Sequence, residues 1–158
     1  MKTNKLLLYL IFTFILFSSS CSKKTIPFAS ASAEVNFLSE NDGTITMRAL
    51  GIGANESEAF TNAVFNAFDV LLFRGLPESQ QKNPLVGTNE SEERLKNKDY
   101  FDNFYRSRFQ TFVMSQIPTS ELISLNNGQK SIAIDIKINL TALRKDLEQN
   151  NIIRKFGF

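Results

Sequence analysis

Gly51-Ile-Gly-Ala-Asn-Glu-Ser-Glu-Ala-Phe-Thr-Asn-Ala-Val-Phe-Asn-Ala-Phe-Asp-Val-Leu-Leu-Phe-Arg-Gly75 is the stretch whose reading decides the fold. Glycines close an alternating run and a capped helix follows at once. Asn55 is a good N-cap, Glu58 stands three residues on to reach back to it, and Glu56 and Glu58 put negative charge in the first turn. Ala59, Ala63 and Ala67 recur every four residues, so they form one small-residue ridge on which a sheet or a second helix can lie close. Phe60, Val64, Phe68, Leu71 and Leu72 flank that ridge. Gly75 suits the residue just past the helix end, and Pro77 prevents the helix from resuming.

Upstream, 33–38 and 44–52 predict two strands joined by a turn that ends in Asp42-Gly43. Ile45, Met47 and Ala49 share one face of the second strand with Gly51 and Gly53, so the missing side chains leave room for the alanine ridge. Downstream, 77–98 is polar and broken by Pro84 and Gly87, and predicts a mobile insert with a helical turn at 92–96. Residues 99–115 return to helical spacing, with Tyr100, Phe101, Phe104, Tyr105, Phe109, Phe112 and Val113 as an apolar stripe read as core; 110–114 also fits the start of a strand. The Asn126-Asn-Gly128 turn between 121–125 and 129–139 predicts a hairpin in which Ile132, Ile134, Ile136 and Ile138 point one way. Leu143 and Leu147 mark a last amphipathic helix over 141–149. The expected class is therefore α+β, two antiparallel β-hairpins forming one sheet with helices packed on one face, in the order ββααββα.

Ahead of this domain, Lys2 and Lys5 followed by the apolar run 6–17 and Ser18-Ser19-Ser20 read as a signal peptide over 1–20. The run is too short to span a bilayer comfortably. Cys21, the sole cysteine, stands where a lipoprotein signal peptidase would leave it as a new N-terminus, although Ser18 occupies a position that is usually Leu. Lipidation of Cys21, with palmitate among its acyl chains, is the first reading, and ordinary signal cleavage leaving an unpaired thiol is the other. Residues 21–32 then form a tether and 33–158 a single domain.

The formal charge of +2 falls away with Lys2 and Lys5, leaving sixteen basic and sixteen acidic residues and no electrostatic case for nucleic acid. The chain has no His, so Ser-His and Cys-His nucleophilic systems and the common zinc sites lack their parts. Carboxylate-only chemistry has Asp69, Asp99, Asp102 and Asp135 as candidates; Asp69 is expected to be balanced by Arg74, and all four to be solvated surface charges. No enzyme activity, metal or cofactor is expected.

Ala49, Gly51, Gly53, Glu58, Ala59, Ala63, Ala67, Leu71 and Gly75, placed after a lipidated-type Cys21, resemble the small outer-membrane lipoproteins related to FlgP and the N-terminal domain of FlgT. The resemblance covers about 33–76, and later elements only by their order. It implies a compact α+β domain on the periplasmic side of a Gram-negative outer membrane, with a scaffolding role and no catalytic residues. The expected function is a membrane-anchored interaction or assembly module of the cell envelope, with an envelope protein or a second copy as partner. A carrier of a small apolar or lipid ligand, held between the Ile row and the Phe-rich helices, is the alternative. Arg154, Lys155, Phe156 and Phe158 are the candidate partner surface, because aromatic groups after the last helix have no evident place in the core; a tail folded back on the sheet edge is the competing reading.

Overall fold

A computed structural model describes residues 34–154. The leader, the tether with Cys21, and Lys155, Phe156 and Phe158 lie outside the described residues. The fold is α+β: one curled antiparallel sheet with helices on one face, in the predicted order in outline.

β1 (Val35–Asn41) and β2 (Thr44–Gly53) pair antiparallel around Asp42 and Gly43, whose φ angles of 45° and 75° make the two-residue turn that suits twisted strands. β2 alternates as expected, with Ile45, Met47 and Ala49 fully buried. It then runs past the start of β1, because Val35 already stands opposite Ala49. The carbonyls of Leu50 and Ile52 are taken instead by side-chain amides of Asn66 (2.8 Å) and Asn62 (2.7 Å).

Those asparagines belong to α1 (Glu56–Asp69). Asn55 accepts from the Glu58 amide at 3.0 Å, while the Glu58 carboxylate reaches back to the amide of Ala54, one residue before the cap. Ala59, Ala63 and Ala67 are fully buried. The reason for two glycines in β2 is direct: a Cβ on Gly51 would stand 2.0 Å from the Ala59 carbonyl oxygen, and one on Gly53 2.4 Å from the Ala59 nitrogen. The helix widens over Val70–Arg74, where the Gly75 amide bonds back five residues to Val70, and Gly75 ends it at φ 78°.

Residues 77–98 fold back on that end. The amides of Leu85 and Val86 cap the Leu71 and Leu72 carbonyls, each at 2.9 Å, before α2 (Glu90–Lys96) and α3 (Lys98–Arg106). The single helix expected over 99–115 stops at Arg106. A tight turn at Arg108–Phe112 buries Phe109 and Phe112, and Val113 opens β3 (Val113–Pro118). β3 pairs with β5 (Lys130–Asn139), so a free strand edge overrides the helical spacing. The Asn127-Gly128 turn is where the sequence puts it, but its first arm is only β4 (Ile123–Ser124). The order is β1-β2-β5-β3, with β4 also on β5. All four predicted isoleucines of β5 face the helices and are buried, and α4 (Leu140–Gln149) closes the layer through Leu143 and Leu147.

Candidate interaction surface

The turn after α4 brings the chain back on itself. Asn151 adopts φ 58°, and the Ile152 amide bonds the Leu147 carbonyl at 2.9 Å, so Ile152 and Ile153 lie half-buried against the core and Arg154 emerges exposed. Across from them stand Leu85 and Val86, with Glu93 and Lys96 one turn apart on α2. Between the two walls is an open groove of about 630 Å³. Its floor is aliphatic and its rim carries both signs of charge, the composition of a contact surface with an apolar centre and a polar border. Of the sequence-nominated partner residues, Arg154 lines this groove, and the other three lie outside the described residues. The opposite wall went unnoticed because Leu85 and Val86 sit in a segment whose composition reads only as loop.

The four candidate carboxylates do not converge. Asp135 forms a bidentate pair with Arg48 (2.7 and 3.0 Å), Asp102 pairs with Lys98 on the same helix, and Asp99 is exposed. Asp69 is neither solvated nor balanced by Arg74, which instead approaches Glu90 at 3.8 Å. Its side chain is 2% exposed, and its Oδ1 accepts from Arg94 Nη2 at 2.6 Å and from the Tyr105 hydroxyl. Arg94 also donates from Nε to Glu90 at 2.9 Å, and its guanidinium lies 4.4 Å from the Tyr105 ring centre and 4.8 Å from that of Phe73. Burial raises the Asp69 carboxyl above the usual carboxylate range, with Arg94 pulling in the other direction. Burial, followed by the Asp69 charge, raises the Tyr105 phenol well above its ordinary value. Enclosed between helices and rings, this cluster serves as a latch that ties α2 to the end of α1.

A second latch fixes α4. Asp146, nearly buried, accepts from the Tyr100 hydroxyl at 2.8 Å and from Arg108 Nε at 3.1 Å to each oxygen. Burial, then the hydrogen bond to Asp146, pushes the Tyr100 phenol far up.

The space between sheet and helices, where a carried ligand would sit, is occupied by rings. Phe104 is fully buried, with the ring centres of Tyr105, Phe68, Tyr100 and Phe112 at 5.0, 5.3, 5.9 and 6.0 Å. Among the described residues no group of three or more His, Cys, Asp or Glu side chains is placed to hold a metal ion, and no helix is long and apolar enough to cross a membrane. Fold and surface together define a small α+β domain with a helical layer on one face of a curled antiparallel sheet. No family model, curated protein or solved structure matches the chain.

Proposed function

We propose that this chain is a lipid-anchored, non-catalytic interaction or assembly module of the bacterial cell envelope. Acyl chains on Cys21 hold it at the periplasmic side of the outer membrane, and the groove beside Arg154 receives an envelope protein or a second copy. The observation that carries this reading is the groove itself, an aliphatic floor with a rim of mixed charge at the end of an otherwise ring-packed domain. The same ring packing weighs against a carrier of an apolar ligand. Kinship with the FlgP-related lipoproteins is part of the proposal and rests on 33–76 alone.

Two measurements test it. Cys21→Ser is expected to move the protein from the membrane fraction to the soluble one, because the acyl chains supply the membrane affinity; a serine variant that still sediments and still incorporates a palmitate analogue overturns the anchor. A photo-crosslinking side chain at Val86 in intact envelopes is expected to give a discrete adduct that is lost when Arg154 and Ile153 are replaced by Glu. A Val86 probe that yields no discrete adduct removes the groove from the interaction.

A further inference from the structure

The sheet face turned away from the helices is not uniformly polar. One cross-strand row reads Ile52–Ser131–Ile123, and the next places Leu50 beside Ala133. Ile52 is 41% and Ile123 55% exposed, while Ser131 between them is nearly covered, and Leu122 is a further exposed aliphatic neighbour. Two rows on, the Arg48–Asp135 ion pair lies beside Ile117, with Thr46, Lys137 and Ser115 beyond. Leu38 and Ile117 are exposed there too, but an ion pair lies beside Ile117, whereas Ile52 and Ile123 flank only the nearly covered Ser131, so that end is the more apolar one.

The apolar end is also where the chain enters the domain. The Glu34 carbonyl accepts from the Leu50 amide at 3.0 Å, two residues from Ile52. Glu34 stands thirteen residues after Cys21, so the chain between them reaches at most about 45 Å. A lipid on Cys21 therefore tethers the domain by this end. We propose that Ile52, Leu122 and Ile123 dock the domain on the phospholipid surface, seating their side chains at the boundary between headgroups and acyl chains. The inference rests on the lipid anchor proposed above.

Two features sharpen it. The charged residues nearest the patch in strand register or along the chain are Glu34, Glu121 and Lys130, so docking runs on apolar insertion and needs no anionic lipid. The patch lies at the start of α1, where Gly53 packs on Glu58 and Ala59, whereas Leu85 and Val86 bond to Leu71 and Leu72 at the far end. At 1.5 Å per residue the two ends are about 20 Å apart along the helix. Docking by the patch therefore presents the groove away from the membrane.

The test uses the full lipidated chain in phosphatidylethanolamine–phosphatidylcholine vesicles. Ile123→Cys and, as a control in the distal β1–β2 turn, Asp42→Cys are each labelled with an environment-sensitive dye; acylated Cys21 does not react. Lipids carrying a nitroxide at the headgroup boundary are expected to quench the dye at 123 several-fold more strongly than at 42, without added anionic lipid. Equal quenching at both positions in protein that floats with the vesicles overturns the docking and leaves the anchor standing. A dye at 123 that is shielded but not quenched by nitroxide lipid assigns the patch to a protein contact and also overturns it. Protein that does not float removes the anchor, and the docking with it.

Discussion

Arg94 Nη2 lies 2.6 Å from Asp69 Oδ1, joining residues 25 apart in the chain inside a wall of Phe73, Phe101 and Tyr105 rings. Neither side chain has water to fall back on, so each needs the other. Breaking a buried pair from one side leaves an uncompensated charge, whereas removing both partners removes the need for either.

Arg94→Leu is accordingly expected to destabilise the domain by about 3–5 kcal/mol, and Asp69→Leu with Arg94→Leu by much less than either single change. Denaturant midpoints of the four proteins in this cycle measure it. Two single losses that simply add would show that the groups do not depend on one another.

Contact between α1 and β2 predicts a contrast among small residues. Gly51→Ala sets a Cβ against backbone atoms of Ala59 and Ala63, and Ala63→Leu overfills the same seam, so each should cost about 1–3 kcal/mol or more. Gly87→Ala meets the Glu93 side chain at an ordinary 3.4 Å and should be nearly neutral. Equal thermal midpoints for Gly51→Ala and Gly87→Ala would mean that helix and strand are not in close contact.

The tyrosines predict an alkaline signature. Tyr100 and Tyr105 have folded-state values raised first by burial, then by hydrogen bonding to Asp146 in the one case and by the Asp69 charge in the other. A raised folded value means stability that is fully present below the unfolded phenol value of about 10 and lost as pH climbs above it. In absorbance at 295 nm neither Tyr100 nor Tyr105 should ionise near pH 10 in folded protein, and both phenolates should appear together with unfolding. Two phenols titrating near 10 in folded protein would place both latches in water.

Deleting 154–158 separates the two readings of the tail. Arg154 is exposed at the groove rim, so loss of partner co-purification with an unchanged thermal midpoint is expected. A fall in the midpoint would assign the segment to the core, and retained binding would take it out of the interface.

What the sequence determined by itself is the part of the fold whose signals are local. Asn55 and Glu58 sit within hydrogen-bonding reach of the amides they satisfy, the alanines repeat at the helix period, and β5 alternates at the strand period, so α1, β2 and β5 with their buried faces are legible without knowing their neighbours. The glycines at 51 and 53 were legible for the same reason, since they stand beside the ridge they admit. Only the tertiary structure decided the rest. Phe109 to Val113 fit a helix by spacing, and become a tight turn and a strand because the open edge of β5 offers backbone partners that no local pattern records. Arg94 reads as one charge in a helical turn of a polar insert, yet its burial depends on an acid 25 residues upstream and a phenol 11 downstream. The groove follows likewise from Leu85 and Val86 bonding to the end of α1, and the apolar end of the outer face from which residues meet across β2, β5 and β4. Such pairings carry their free energy in contacts between distant segments, and they are fixed only when the chain has closed.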